Sequence, residues 1–287
     1  MDERCDGKAD CPDRSDEEYC KGFITYSGYN KFLVPPPLVN ESSLLLNISI
    51  NINEIKTVNE NDGFLKIKFT MLREWLNTQL TFQNLKRDGT RNLITKEDRE
   101  RMWKPWFSFK NTEHLGDTKA TDMPDMMWVL PNKKFNYKRD DRTNYRNTRL
   151  FNGDENVISF QRQLTVNWEC NYNMEWFPFD VQKCRLEMFT PDFFLTLNPT
   201  TVRYSGPLEL PQHFVQGVTI CPAIIEDRSG LVVEVILGRR LSGTILSVFM
   251  PTCILLVLSQ MVMVFSRNHL ELVIDVNMTL ILVLATL

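Results

Sequence analysis

The chain has 287 residues, enough for one large domain with something smaller beside it, and a formal net charge of −3. Its 33 basic residues are interspersed among 36 acidic ones rather than gathered into a patch, which excludes nucleic acid as the expected partner. Histidines stand only at His114, His213 and His269, without a zinc-binding spacing or a phosphate-cradling glycine loop, so an enzyme is not expected.

Three of the seven cysteines, Cys5, Cys11 and Cys20, crowd into the first twenty residues, the density of a small extracellular disulfide module. The run Cys5-Asp-Gly-Lys-Ala-Asp-Cys11-Pro-Asp-Arg-Ser-Asp-Glu-Glu-Tyr-Cys20 resembles the calcium-binding half of an LDL-receptor class A module. That resemblance implies calcium held by Asp6, Asp10, Asp16 and Glu17, with Cys5 bridged to Cys20 and Cys11 lacking its partner. The competing reading is a solvated acidic tail. The first residues are charged and carry no apolar signal-peptide core, so export calls for sequence ahead of Met1.

Residues 21–40, with Tyr26, Tyr29 and Pro35-Pro36-Pro37, read as an extended entry segment. Asn40 and Asn47 head Asn-x-Ser sequons, glycan acceptors in a secreted domain. Alternation then predicts strands. Leu46, Ile48, Ile50 and Ile52 share one face, as do Leu65, Ile67, Phe69 and Met71 beyond an Asn61-Asp62-Gly63 turn, and Leu164, Val166, Trp168 and Cys170. Half-buried strands without long amphipathic helices between them predict a mainly β, immunoglobulin-like sandwich over residues 21–240.

Residues 241–287 change character. Ile245 to Phe265 is a run of 21 residues without a charge, which as one helix would span about 32 Å and cross a bilayer core of about 30 Å. Pro251 inside it is tolerated in membrane helices. The short link from Ser266 to His269 sends a second helix, over about 270–287, back as a hairpin. Because its apolar part, from Val276 to Leu287, is too short to span, truncation is expected.

Cys170 and Cys184 enclose thirteen residues, Asn-Tyr-Asn-Met-Glu-Trp-Phe-Pro-Phe-Asp-Val-Gln-Lys. A bridge between them would contribute about 3 kcal/mol through chain entropy. An ordinary sandwich disulfide is the plainer reading. The spacing Cys-x6-Phe-Pro-x-Asp-x3-Cys, on a β domain ahead of membrane helices, closely resembles the hallmark loop of the Cys-loop receptors, the pentameric ligand-gated ion channels. From about Tyr29 onward further stretches are similar to that family. Trp75-Leu-Asn-Thr-Gln-Leu80 has Asn77 and Gln79 where the family has Asp and Arg. Trp128-Val-Leu-Pro-Asn132, the basic Gly238-Arg-Arg-Leu241 junction and Pro251 also correspond.

The resemblance implies an agonist bound to the extracellular sandwich, with its signal carried to the membrane by Phe177, Pro178, Asp180 and Arg240. It implies a pore lined by Asn277, Ile281 and Leu284 of the second helix, with Asp275 at its mouth favouring cations. Where amine-gated members cage a cation in aromatic rings, Thr190-Pro191 stands here, and residues Cys221 to Ser229 contain no aromatic; Phe135, Tyr137 and Phe193 are the candidate wall residues. The expected protein is thus a multi-pass plasma-membrane subunit with an extracellular N-terminal domain. It would assemble with identical or different subunits into pentamers and answer a small-molecule agonist. The alternatives are a membrane-tethered binding or adhesion protein and a non-conducting modulatory subunit.

Overall fold

The computed structural model describes residues 11–13, 22–39, 41–112, 124–139, 148–265 and 270–286. The expected calcium ligands Asp6, Asp10, Asp16 and Glu17, the Cys5–Cys20 pair and the acceptor Asn40 lie outside these residues. Cys11 is described, as an exposed free thiol.

The first strands are β1 (Phe23–Thr25), β2 (Leu44–Asn59), β3 (Phe64–Trp75), β4 (Leu80–Gln83), β5 (Ser108–Phe109), β6 (Met126–Leu130) and β7 (Lys138–Arg139). A short helix, α1 (Lys96–Arg101), lies between β4 and β5 and is capped by the Thr95 side chain. The remaining strands are β8 (Arg149–Asn152), β9 (Val157–Glu169), β10 (Val181–Phe189), β11 (Leu195–Tyr204), β12 (His213–Ile225) and β13 (Arg228–Arg239). They form three sheets, ordered β1-β4-β8-β7, β12-β13-β10-β5 and β11-β2-β3-β9-β6. The extended entry segment contributes β1, which pairs with β4 from Phe23 opposite Phe82.

The mainly β architecture follows from the alternation. Leu44, Leu46, Ile48, Ile50 and Ile52 of β2 are all buried, and so are Leu65, Ile67, Phe69 and Met71 of β3 and Leu164, Val166 and Trp168 of β9. Asn59 and Asp62 close the β2–β3 turn side chain to side chain at 2.7 Å, with Gly63 at φ 73°, a conformation that suits glycine. β11 runs parallel to β2, with Leu195 opposite Leu44 and Tyr204 opposite Ile52.

The same alternation turns Arg73 of β3 into the core. Its guanidinium lies 4.8 Å from the Phe107 ring and 5.2 Å from the Phe160 ring, and donates to the Pro105 carbonyl at 3.1 Å. Burial, reinforced by nearby Arg162, pushes its pKa down to about 9.

The chain divides into two compact units, Met1–Asn171 with Cys184–Gly206 and Gly217–Val235, and Tyr172–Lys183 with Pro207–Gln216 and Ile236–Leu287. The second contains α2 (Leu241–Thr244), a π-helical turn over Ile245–Phe249, α3 (Met250–Phe265) and α4 (Leu270–Thr286). The stretch expected as one helix over 245–265 is helical throughout, a π-helical turn over Ile245–Phe249 being followed by the 16 α-helical residues of α3. Pro251 lacks an N–H, and its ring crowds the carbonyl four residues back, at Ser247, so the turn just before it widens. Among the described residues no helix is long and apolar enough to cross a membrane.

Candidate functional site

β10 begins where the disulfide hairpin ends, and its period of two decides what the hairpin holds inside. Asp180, Gln182, Cys184, Leu186 and Met188 are buried, whereas Val181, Lys183 and Arg185 face outward. Cys184 is bonded to Cys170 as expected, across 14 positions of sequence. The residues between carry an exposed apolar tip of Trp176, Phe177 and Phe179, with a cis peptide bond between Phe177 and Pro178.

Behind that tip Asp180 is fully engaged. Arg239 donates Nε to Oδ1 at 2.7 Å and Nη2 to Oδ2 at 2.9 Å, and Gln182 donates Nε2 to Oδ2 as well. Gln182 is itself held by the backbone of Asn173, accepting its N–H and donating to its carbonyl, each at 2.8 Å. The Arg239 guanidinium stands 4.8 Å from the Phe177 ring. Burial pushes the Asp180 carboxyl up, but the hydrogen bonds from Arg239 and Gln182 outweigh it and hold the carboxyl below its ordinary value.

The buried partner of Asp180 is Arg239 and not the neighbouring Arg240, which the resemblance names as a coupling candidate. Arg240 points the other way, to the Leu210 carbonyl at 3.3 Å and the exposed Glu209 carboxylate at 3.4 Å. The signal was present in β13. Leu231, Val233, Val235 and Leu237 are the buried parity of that strand, and Arg239 continues it.

A surface groove of about 530 Å³ lies between the segment after β10 and the β12–β13 hairpin, lined by Phe193, Leu197, Pro222, Ile224, Asp227 and Arg228 among others. Two residues, Glu226 and Asp227, form the hairpin connection, both at positive φ, the pairing that matches strand twist in a two-residue loop. Ser229 fixes the geometry: its carbonyl accepts the Thr190 N–H at 3.2 Å and its hydroxyl oxygen the Leu197 N–H at 2.8 Å. Arg228, just before it, has its guanidinium carbon 3.0 Å from the Phe193 ring centroid and donates to the Pro191 carbonyl.

Phe135 and Tyr137 are brought together, at 6.4 Å between centroids, but against buried Phe151, with Arg87 over Phe135 and Arg149 over Tyr137. The lining of the Phe193 groove includes neither of them. Asn47 is half-buried in β2, its Oδ1 accepting from Asn198 of β11 at 2.7 Å.

In the helices, Ser259 of α3 donates to Asn277 Oδ1 at 2.6 Å, while Asn277 donates to the Val273 carbonyl of its own helix at 2.9 Å. Asn277, expected to line a pore, thus faces α3. Val273, Val276 and Leu280 are half-buried with it, whereas Glu271, Ile274, Asp275, Met278, Thr279, Ile281 and Leu282 are exposed. Leu284 lies in α4, with its side chain outside those described. The expected pore face of Asn277, Ile281 and Leu284 comes from the resemblance; of these, Asn277 contacts Ser259 of α3 and Ile281 is exposed.

Comparison with known proteins agrees with this architecture. Residues 24–193, more than half of the chain, match the family model described as the neurotransmitter-gated ion-channel ligand binding domain. Over 252 residues the chain is 21% identical to a glutamate-gated chloride channel of Drosophila melanogaster, covering 84% of this chain and 50% of that protein. Over 260 residues it is 23% identical to the gamma-aminobutyric acid receptor subunit pi of Rattus norvegicus and of Mus musculus, covering 86% of this chain and 52% of each. The chain spans about half the length of the curated relatives it matches. With its bridged Cys170–Cys184 hairpin on a mainly β domain, the chain belongs to the neurotransmitter-gated ion-channel ligand-binding domain family, a family of channels and not of enzymes.

Proposed function

We propose that this chain is the ligand-binding and first membrane portion of a subunit of a pentameric ligand-gated ion channel, multi-pass in the plasma membrane with its β domain outside the cell. Family membership does not favour the adhesion-protein alternative. The observation that carries the reading furthest is the buried Asp180–Arg239 pair. It ties the disulfide hairpin to the end of β13, and β13 continues directly into α2. An agonist in the Phe193 groove would shift the strands that border it, and the pair would pass that shift to the helices. In this reading α2, the π-helical turn and α3, which together cover Leu241–Phe265, make the first crossing. The module of residues 1–20 with its calcium, and glycans on Asn40 and Asn47, are proposed along with it.

The pore face is redrawn from the α3 contact. At about 100° per residue, Asp275 and Thr279 lie about 160° around α4 from Asn277, and Leu282 about 140°. That face, with Glu271, is the one we assign to the pore. Five copies of Glu271 and Asp275 along an aqueous pore would attract cations.

The test is electrical. The complete protein, extended beyond both ends of this chain, is expressed in oocytes alone and with candidate partner subunits, and reversal potentials are measured in diluted sodium chloride. Agonist-evoked current that reverses with the sodium gradient is expected. A reversal that follows chloride sinks the cation assignment, and an absence of current in every combination sinks the channel reading.

A further inference from the structure

Strand alternation puts Leu45, Asn47 and Ser49 of β2 on the outward face of the sheet ordered β11-β2-β3-β9-β6. Asn47 stands in a polar row that runs across four of those strands. It is in register with Asn198 of β11 on one side and Glu74 of β3 on the other, and Glu74 is in register with Ser159 of β9. Asn198 donates to Asn47 Oδ1 at 2.7 Å, and the Ser159 hydroxyl donates to Glu74 Oε1 at 3.1 Å. Two atoms of the row make no hydrogen bond among the described residues: Asn47 Nδ2 and Glu74 Oε2.

A pocket of about 180 Å³ opens at this row, lined by Asn47, Glu74, Glu41, Leu45, Leu76 and Val157 among others. Leu45, two residues before Asn47 on the same face and so about 7 Å away, is 42% exposed. No lysine or arginine lines the pocket. The lining thus combines apolar walls with carboxylate acceptors, which suits a neutral ring that carries hydroxyl and amide N–H donors. The C–H face of such a ring packs on Leu45, Leu76 and Val157, and its donors meet Glu41 and Glu74. The pocket also holds the attachment point for such a ring, because Asn47 heads the Asn47-Ile48-Ser49 sequon.

We propose that the first N-acetylglucosamine of a glycan on Asn47 folds into this pocket and forms part of the sheet surface. The inference rests on the extracellular, glycosylated reading above and adds where the sugar lies and what it does. In the attachment, Asn47 Nδ2 bonds to C1 of a lipid-linked sugar diphosphate. The C1–O bond breaks, the diphosphate leaves with its electron pair, and Nδ2 gives up one proton. Its second N–H remains, and Oδ1 still accepts from Asn198. The order of events follows from the pairing. Asn198 is 151 positions beyond Asn47, so the amide is unpaired while the chain is being made and held in the row once β11 joins. The sugar is therefore added before β11 pairs with β2.

The complete protein is expressed in secretory cells that make only oligomannose glycans, and glycopeptide mass spectrometry reads the occupancy of Asn47. Two enzymes then distinguish the first sugar from the rest. An endoglycosidase that cuts beyond the first sugar is expected to trim the native protein without lowering its melting temperature. An amidase that cuts at Asn47 Nδ2 has to reach into the pocket, and should act at least about tenfold more slowly on native than on denatured protein. L45S, which removes one exposed wall, should abolish most of that protection. N47Q, which carries no sugar, should melt roughly 2–4 °C below the trimmed protein. The protection measurement uses the wild type alone, so it stands even if a variant folds poorly.

An occupied Asn47 whose sugar is released equally fast from native and denatured protein overturns the proposal and leaves the glycan itself in place. A bare Asn47 overturns both. Protection unchanged in L45S assigns the shielding to another surface and also overturns the pocket assignment. So does an N47Q protein that melts within about 1 °C of the trimmed one. If the sugar is protected through Leu45 while the complete protein passes no current, the channel reading falls and this one stands.

Discussion

Arg239 and Asp180 meet across 59 residues of chain in a two-point contact, Nε to Oδ1 and Nη2 to Oδ2, with both side chains almost wholly shielded from water. Such a pair is defined more by what happens when it is broken than by what it adds. Losing either partner leaves the other charge buried and alone, at a cost of about 3–5 kcal/mol.

D180A and R239A are therefore each expected to lower the unfolding free energy by about 3–5 kcal/mol, and the double variant by less than their sum. R240A, whose partner Glu209 is exposed, should change it by less than about 1 kcal/mol. Denaturant unfolding followed by tryptophan fluorescence makes the comparison. Equal losses for R239A and R240A would show that the two arginines are not specialised.

Because the Asp180 carboxyl is held below its ordinary value of 3.8, its contribution has a definite pH window. The ionised form is the one the fold binds. Its stabilisation is present above the unfolded pKa of about 3.9 and is lost as pH falls through the lower folded value. Thermal unfolding of wild type and D180N should converge as pH is lowered below about 4, and their difference should be flat from pH 5 to 7. A gap that opens or closes near neutrality would place the responsible group elsewhere.

The Cys170–Cys184 bridge closes a short loop, so replacing both cysteines with alanine should cost about 3 kcal/mol, mostly by releasing the unfolded chain. Calorimetric and denaturant measurements on the oxidised protein and the double variant give the difference. A loss below about 1 kcal/mol would mean that the hairpin is held by Asp180 and Gln182 rather than by the bridge.

Arg73 makes a contrasting prediction. It is a buried cation between two phenylalanine rings, and burial has already lowered its pKa to about 9. R73M, of similar length and without charge, should be within about 1 kcal/mol of wild type or more stable, whereas R73A, which leaves a void, should cost about 2 kcal/mol or more. R73M losing as much stability as R73A would mean that the ring contacts need the charge.

In the assembled channel, cysteines introduced at Asp275, Thr279 and Leu282 should react with an externally applied charged thiol reagent during agonist exposure, with a change in current. A cysteine at Asn277, turned toward Ser259, should not. The reverse pattern would restore the face of Asn277, Ile281 and Leu284.

What the sequence made legible was whatever a single strand decides for itself. The alternation of β2, β3 and β9 was readable because each carries its own burial pattern, and the disulfide because its spacing is distinctive. The burial of Arg239 was readable too, since counting by twos from Leu231 arrives at it. Properties that depend on a second element were not readable. The rotation of α4 depends on Ser259 in another helix, and the approach of Arg228 to Phe193 depends on where Ser229 pins the Thr190–Leu197 stretch. The widened turn at Ile245–Phe249 was foreshadowed by Pro251, but proline by itself does not say whether a helix will kink, break or loosen.

The parallel pairing of β2 with β11 also bears on how the protein is made. β2 carries five buried aliphatic residues between Leu44 and Ile52, and its partner on that side starts at Leu195, 151 positions beyond Leu44. At translation speeds of about 5–20 residues per second, one edge of a strongly apolar strand waits on the order of ten seconds for its neighbour to be synthesised. Until then its backbone N–H and C=O groups are open to any strand nearby. A nascent chain stalled between β10 and β11 would expose that edge for as long as it stayed on the ribosome.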